Sequence, residues 1–396
     1  MGGVPAARKS YTAVPHTTLM PAGLRLVCSG CGRTHAPDTL AWRCECGSPL
    51  DVEKPLPAEP RFEGRGVWRY RPLLPLLDDR CVVTLGEGST PTVEQDLYGV
   101  EALLKLEYLN PTGSFKDRGA TVMVSNLKAA GAREIAIDSS GNAGCAVAAY
   151  ASAAGIRCKV YVPTGAPRAK KMQIALYGAE LIEVPGPRSE VGKRLLAELK
   201  PGVAYASHMW NPYFIEGLKT IAYEVAERFG APDAVVLPVG SGGLLLGVHR
   251  GFAEVARLGF AERVPRIVAV QAAGYTPVYD ALYGPYGAEP PAEPLADGIA
   301  IPNPPRLKQV VEAVRESGGG AVVVEDREIA EALKLLARAG LLVEPTSAAA
   351  VAGLRKAVEQ GLVERGERVL VPLTGSGLKA LDKIAGAIGE RALGGR

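Results

Sequence analysis

The chain has 396 residues, of which 47% are hydrophobic and 22% charged, and its formal net charge is +3. This length allows two or three domains with a large buried core. The weak charge bias argues against nucleic acid or a membrane surface as a partner, and no run of about 18 apolar residues predicts a transmembrane helix. Residues 1–20 lack the continuous apolar stretch of a secretory signal, so we expect a cytoplasmic protein.

Asparagine and glutamine are scarce, with five residues of each. Thermolabile amides are disfavoured in heat-adapted proteins, so the composition leans toward a thermophilic source. A GC-rich genome would produce a similar bias, and both explanations stay open.

Four of the seven cysteines lie close together near the N-terminus. Cys28 and Cys31 form a C-x-x-C pair, and Cys44 and Cys46 follow as C-x-C after twelve intervening residues. Two such pairs on a hairpin-length segment are typical of four thiolates that hold one structural zinc ion. We therefore expect a zinc-ribbon-like module at 20–52. A metal-free module, or His35 as a replacement ligand, remains an alternative.

The other cysteines and the segment after the module carry less information. Cys81, Cys145 and Cys158 lie in apolar or helical surroundings and are expected to be buried small side chains. The proline-rich stretch 53–81 reads as a linker and extended arm.

From about residue 82, short apolar runs alternate with helical patterns. The predicted strands are 103–108, 134–138, 159–162, 180–184, 234–239, 267–271, 321–325 and 368–373. The predicted helices include 117–130, 143–154, 169–177, 187–199, 215–229, 244–258 and 326–339. This alternation predicts an α/β fold with mostly parallel sheets covered by helices on both faces. We expect a large domain from 82–128 and 212–396, and a small domain at 129–211.

The segment Asn110-Pro-Thr-Gly-Ser-Phe-Lys-Asp-Arg-Gly119 places Lys116 in a Gly/Ser/Thr turn after an apolar run. A surface lysine would suit such a turn. A lysine that forms a Schiff base with an aldehyde cofactor explains it better, because such an amine needs a rigid element beside anion-binding backbone.

Two further loops follow predicted strands and open helices, the position where ligands bind in parallel sheets. Ser139-Ser140-Gly141-Asn142-Ala143 exposes amides and hydroxyls that suit a carboxylate, although an ordinary capping turn is the alternative. The glycine-rich loop 240–244 suits a single phosphate. It matches neither the dinucleotide G-x-G-x-x-G pattern nor a Walker loop.

Two C-terminal segments complete the pattern. Thr374, in the loop after the last strong strand, offers a neutral hydroxyl for a cofactor ring nitrogen, with a polar turn as the alternative. The stretch 344–348 contains Pro345 and is interpreted first as the start of a helix.

Together these segments resemble the fold-type II pyridoxal-phosphate enzymes, and within them the threonine synthases most closely. The resemblance covers nearly the whole chain. The matching stretches are 110–119, 139–144, 211–213, 216–220, 240–243, 344–348 and 373–379.

The resemblance implies roles for individual residues. Lys116 would form an aldimine with pyridoxal 5′-phosphate and move protons during the conversion of O-phosphohomoserine and water to threonine and phosphate. The further cofactor contacts implied are Phe115, Asn142, Gly240, Ser241, Gly242, Gly243, Leu244 and Thr374. The substrate contacts implied are Ser139, Ser140, Gly141, Ala143 and Lys219. A homodimer is also expected.

Four positions in three stretches depart from the usual threonine synthase pattern, and one of them is Ser376, which stands for a histidine. Ala143 stands for a threonine, Phe214 for an arginine, and Met209 for a serine, so donors expected to contact a substrate phosphate are missing. Lys170, Lys171, Arg168, Lys219 or His208 would have to compensate. A dehydratase of threonine or serine, or a cysteine synthase-like enzyme, is therefore the alternative activity, and Phe214 would suit it as an apolar pocket wall. A non-catalytic relative is a third possibility.

Overall fold

The computed structural model describes residues 23–186 and 188–389. The absence of a signal segment at 1–20, the start of the cysteine module at 20, the helix start at Pro187 and the chain end at 390–396 lie outside these residues. The described part consists of a small N-terminal sheet, a six-stranded sheet and a four-stranded sheet, with helices around the two larger sheets. Within this part, no helix combines the length and apolarity needed to cross a membrane.

The secondary-structure elements follow one another in a repeated strand–helix order after the N-terminal module. The strands are β1 Arg25–Cys28, β2 Thr34–His35, β3 Leu50–Glu53, β4 Thr92–Leu97, β5 Val100–Lys105, β6 Glu134–Ile137, β7 Arg157–Pro163, β8 Glu180–Val184, β9 Ala204–Tyr205, β10 Ala234–Pro238, β11 Arg266–Ala272, β12 Gly320–Val324 and β13 Arg368–Pro372. The helices are α1 Lys116–Ala129, α2 Asn142–Ala154, α3 Arg168–Leu176, α4 Arg188–Glu198, α5 Pro212–Leu218, α6 Thr220–Phe229, α7 Gly243–Arg257, α8 Pro277–Tyr283, α9 Leu307–Glu316, α10 Asp326–Arg338, α11 Pro345–Glu359 and α12 Leu381–Ile388.

The large sheet has the strand order β12-β11-β10-β13-β5-β4, and only the β4–β5 pair is antiparallel. Successive residues of its strands pack on opposite faces. Leu103 and Val235 belong to the core on the side of α1, α5 and α7, whereas Leu104 and Val236 belong to the core on the side of α10 and α11. Burial on both faces explains the continuous apolar runs that identified these strands in the sequence.

The second α/β sheet is smaller and wholly parallel, with the order β8-β7-β6-β9. Its strands lie between residues 134 and 205, and those of the large sheet lie at 92–105 and 234–372. The two sheets therefore occupy separate stretches of the chain, and α1 and α5 pack where these stretches join.

The N-terminal sheet has the antiparallel order β2-β1-β3, with Leu26 opposite Val52. Leu26 and Leu50 are buried and continue into the main core. The module is thus attached to the body by apolar packing, and β3 lies against α5.

The predicted strands of the two larger sheets are confirmed to within three residues at each end, and the α/β fold class is confirmed. One predicted helix is wrong in its extent. The pattern at 215–229 is two helices, α5 and α6, which meet at Lys219. Strand β4 escaped prediction because it is a polar, mostly exposed edge strand.

Candidate active site

Loops from the carboxyl ends of β5, β6, β10 and β13 converge on one pocket between the two larger sheets. The pocket is a concave cleft of the kind that binds small molecules. The predicted residues that line it are Phe115, Lys116, Ser139, Ser140, Gly141, Asn142, Ala143, Gly240, Ser241, Gly242, Leu244 and Thr374. The fold therefore brings together segments that lie far apart in the sequence.

Lys116 is the first residue of α1 and projects from a turn that is tied to the loop after β13. The amide of Phe115 donates to the carbonyl of Thr374 over 3.0 Å. The Lys116 Nζ lies 4.5 Å from the centre of the Phe115 ring and 5.8 Å from that of Phe214. Aromatic faces within about 6 Å hold a cation while leaving its polar side open. Lys116 is therefore half-buried, and the turn that carries it is held rigidly by the loop after β13.

A buried ionic cluster supports the first turn of α1. The Arg118 guanidinium, with no exposed surface, is bound by Glu107 from one side and by Glu224 of α6 from the other, at 2.6 and 2.7 Å. Lys105 at the end of β5 joins Glu224 at 2.7 Å. Two cations and two carboxylates balance here, which is the condition under which buried charges are tolerated. The cluster connects β5, α1 and α6 directly beneath Lys116.

This cluster predicts a specific dependence of stability on acid. Burial alone would raise the pKa of Glu224, but Arg118 and Lys105 outweigh it and lower that pKa from 4.5 to about 2. A carboxyl whose pKa is lower in the folded state stabilises the fold above its unfolded pKa, and this contribution is lost as the pH falls from about 4.5 through 2. In Glu224→Gln we expect a flatter loss of unfolding free energy across that window, and lower stability at pH 7.

Denaturant unfolding at a series of pH values measures this slope. Glu312→Gln, at a largely exposed position on α9, is the matched control and should keep the wild-type slope. An unchanged slope in Glu224→Gln would mean that the buried cluster does not govern acid stability.

The loop after β6 presents Asn142 at the start of α2. Its Nδ2 donates to Glu344 Oε2 over 2.6 Å, whereas its buried Oδ1 has no hydrogen-bond partner among the described residues. Glu344 also lies 3.1 Å from the Lys170 Nζ. Burial would lower the pKa of Lys170, but Glu344 and Asp297 outweigh it and raise that pKa. The pocket therefore contains a buried, charged lysine beside an amide that is ready to bind a ligand.

The glycine-rich loop after β10 leads into α7, a helix of 15 residues whose N-terminus has no side-chain cap. Gly242 has φ +83°, and a Cβ there would lie 2.2 Å from Val310 Cγ2, so only glycine fits. The free amides and the positive end of the helix dipole face the pocket and suit a phosphate. Gly243, the first residue of α7, is absent from the lining and supports this turn from behind.

Thr374 lies at the opposite wall and is buried. Its hydroxyl is 3.0 Å from Ser347 Oγ, which also accepts the amide of Gly375 over 2.8 Å. Ser347 therefore orients the Thr374 hydroxyl from behind.

Two expectations about substrate contacts require correction. Lys219 does not reach the pocket, because its buried Nζ is held by Glu216 at 2.5 Å and Glu254 at 2.7 Å. Phe214 does not form a pocket wall either. It is fully buried behind the lining, against Gly119, where a Cβ would approach its ring to 2.5 Å. The phenyl ring therefore fills space in the protein interior and is absent from the pocket lining.

The structure adds pocket residues that were not among the implied cofactor and substrate contacts. They are Lys170, His208, Pro238, Asp297, Gly298, Ile299, Glu344 and Thr346. Of the compensating residues considered above, Lys170 and His208 line the pocket. Lys171 does not line it, and its Nζ lies 2.9 Å from a carboxylate oxygen of Glu183. Glu344 is interpreted from the sequence as part of a helix start, and it does lie directly before Pro345 at the beginning of α11.

The four clustered cysteines come together in the N-terminal module, and all their Sγ atoms lie within 4.8 Å of one another. The Cys28–Cys46 and Cys31–Cys44 sulfur distances are 3.4 and 3.7 Å, near the roughly 3.8 Å between ligands of a tetrahedral zinc site with Zn–S bonds of about 2.3 Å. The amides of Gly30 and Cys31 point at the sulfur of Cys28. No cysteine forms a disulfide. The donor set therefore fits a metal ion.

Comparison with known proteins gives consistent results. A family model described as pyridoxal-phosphate dependent enzyme matches residues 83–375. A threonine synthase of Methanocaldococcus jannaschii is 36% identical over 378 residues, covering 90% of this chain and 93% of that protein. A threonine synthase of Synechocystis sp. is 41% identical, covering 79% and 82%.

Solved structures agree at the level of the fold. A maize serine racemase matches with a TM-score of 0.63 and 24% identity over 77% of this chain and 92% of that one. An O-acetylserine dependent cystathionine beta-synthase from Helicobacter pylori also gives a TM-score of 0.63, with 25% identity over 74% of this chain and 95% of that one.

Proposed function

The chain belongs to the threonine synthase family of pyridoxal-phosphate-dependent enzymes, and we propose that it converts O-phosphohomoserine and water to threonine and phosphate. The main support from the structure is that Lys116 and Lys170 face one pocket. Its other walls are the 139–143 loop and the uncapped N-terminus of α7. One amine serves proton transfer, and the second cation serves a phosphorylated substrate.

The pocket residues fit the cofactor. Ser241 and Gly242 precede α7 and offer amides for its phosphate, Asn142 has hydrogen-bonding capacity left for its ring hydroxyl, and Thr374 offers a neutral hydroxyl for its ring nitrogen. When bound, pyridoxal phosphate supplies an electron sink that stabilises negative charge at the substrate's α carbon.

Lys116 then carries the proton transfers. We assign to its amine the removal of a proton from Cα and then of one from Cβ of the substrate. Phosphate leaves from Cγ, which takes up a proton to become the methyl group, water adds at Cβ, and a proton returns to Cα. The Phe115 and Phe214 rings lie on one side of the amine and fix its direction. The hydroxyls and amides of the 139–143 loop hold the substrate carboxylate and keep Cα within reach of Lys116.

The substrate phosphate is assigned to Lys170 and His208, because no arginine occurs in the lining of the pocket as described. That lack of arginine also favours a second candidate function, the elimination of water from unphosphorylated threonine or serine. Both candidates use Lys116 to remove the Cα proton. The threonine synthase reaction also removes a proton from Cβ, releases phosphate from Cγ and adds water at Cβ, whereas the dehydratase reaction releases the hydroxyl from Cβ as water.

One experiment separates the two candidates. The purified protein loaded with pyridoxal phosphate is incubated with O-phosphohomoserine and, separately, with threonine and with serine. Inorganic phosphate, threonine and 2-oxo acids are quantified. Equal amounts of phosphate and threonine would support the proposed activity. No turnover of O-phosphohomoserine, together with 2-oxobutyrate or pyruvate from the free amino acids, would replace it with a dehydratase.

We also propose that Cys28, Cys31, Cys44 and Cys46 bind one structural zinc ion per chain. The sulfur distances and the amides directed at Cys28 support this assignment. Elemental analysis should find about one zinc in the wild type and a strongly reduced content in Cys44→Ser. Cys158→Ser, at a buried cysteine in β7, is the control and should retain the metal. Equal metal content in both variants would contradict the site.

The remaining expectations concern the cellular setting. A small-molecule amino-acid substrate, a homodimer and a cytoplasmic location are proposed together. Four thiolate ligands are stable in a reducing compartment, which suits the last of these. A thermophilic source remains a prediction from the composition.

A further inference from the structure

The cysteine module contacts residues of both α/β units. On one side, Asp51 in β3 binds Arg306 and Arg250 of the large domain, each at 2.9 Å, and also accepts a hydrogen bond from Gln309. On the other side, the Trp42 ring meets Tyr205 of β9 edge to face, with centroids 5.1 Å apart. The module therefore braces the junction between the two α/β units.

Arg306 is the centre of this brace. Its side chain is 1% exposed, and its five N–H groups are all used. They donate to Asp51, Gln309 and the carbonyls of Leu50, Met209 and Trp210, over distances of 2.7 to 3.1 Å. A planar guanidinium that binds three separate segments fixes their relative positions more tightly than apolar contact does.

One of these segments, and the stretch that carries Arg306 itself, lead directly into the pocket. Arg306 donates to the carbonyls of Met209 and Trp210. These two residues directly follow His208, which lines the pocket. Arg306 itself ends the stretch that begins with the lining residues Asp297–Ile299. Trp42 packs on Trp210 as well, with ring centroids 4.9 Å apart. A shift of the module would therefore move two pocket walls.

We propose that Arg306 is a positioning residue that couples the cysteine module to the active-site pocket, so that the folded module sets the placement of His208 and of the 297–299 wall. This inference rests on the proposed function and on the proposed metal. It assigns the module a part in substrate binding beyond stability.

The first test compares Arg306→Met and Asp51→Asn with Arg266→Met in the full-length enzyme loaded with pyridoxal phosphate. Arg266, which pairs with Glu367 on the large sheet away from the pocket, is a matched control. We expect both test variants to raise KM for O-phosphohomoserine by at least about tenfold with a smaller change in kcat, because small misplacements of binding groups weaken substrate positioning. Arg306→Lys should lie between them and the wild type. The control should leave KM unchanged.

Asp51→Asn is the decisive variant, because Asp51 contacts Arg306 without lining the pocket. A wild-type KM in folded Asp51→Asn and Arg306→Met would overturn the proposal, even if their melting temperatures fell. Folding is checked by near-ultraviolet circular dichroism.

Metal removal gives a second test, carried out on the wild type and on Arg306→Met. Chelation should reproduce the KM increase, change the fluorescence of the Trp42–Trp210 pair, and add little to the effect of Arg306→Met, since both perturb one coupling. Additive effects would contradict the coupling. The fluorescence change and the affinity for pyridoxal phosphate are measured without substrate. If O-phosphohomoserine is not turned over by the wild type, the proposed activity fails while the coupling is still tested.

Discussion

Replacing Lys116 by alanine is expected to reduce turnover by about 10³-fold or more, because the chain then lacks the amine that moves protons at Cα and Cβ. We expect no neighbouring amine to take over the proton transfers. Lys116 begins α1 above the Arg118 cluster, and Lys170, the other lysine in the lining as described, is paired with Glu344. Lys116→Ala should also lose the covalent fixation of pyridoxal phosphate on borohydride reduction, which mass spectrometry of the intact chain would detect.

Lys128→Ala is the matched control, since Lys128 lies in the last turn of the same helix and is absent from the pocket lining. It should retain activity and covalent labelling. Comparable melting temperatures of the two variants would show that α1 is intact in both. Full activity in Lys116→Ala would remove this lysine from the reaction, and labelling at another residue would identify the amine that replaces it.

The sequence was most informative for strands that the fold buries on both faces, because burial leaves a continuous apolar run in the sequence. Apart from Arg368, the strands at 234–239 and 368–373 are apolar and buried on both faces, and the loops that follow them had to lie at one edge of the sheet. Lys116, Asn142 and Thr374 could be placed on such loops without knowledge of side-chain contacts.

The ion-pair partners of individual lysines could not be predicted from the strand and loop pattern. Lys170 and Lys171 are neighbours in α3 with identical chemistry, yet one faces the pocket and the other pairs with Glu183. Lys219 looked like a substrate contact but is neutralised by Glu216 and Glu254, the second from a different helix. Which lysine is buried with which carboxylate depends on how helices pack across the sheet, and this information is distributed over the whole chain.

The Lys170/Lys171 pair provides the second large prediction. Lys170 is a buried cation in the helix that borders the pocket, and its partner Glu344 also binds Asn142. A charge-assisted hydrogen bond to a phosphate contributes roughly 1.5–3 kcal/mol. Lys170→Met should therefore raise KM for O-phosphohomoserine by about 10- to 100-fold, with a smaller effect on kcat. Lys171→Met, one residue further along α3, should leave KM unchanged.

Inhibition by inorganic phosphate distinguishes a phosphate contact from a carboxylate contact. If Lys170 holds the leaving group, the inhibition constant for phosphate rises in Lys170→Met by the same factor as KM. If Lys170 holds the substrate carboxylate, KM rises while inhibition by phosphate is unaffected. The double variant Lys170→Met/Glu344→Gln removes both charges, so it separates the loss of anion binding from the effect of an uncompensated Glu344 carboxylate. A wild-type KM in Lys170→Met would assign the phosphate to His208 and the pocket amides, without a permanent cation.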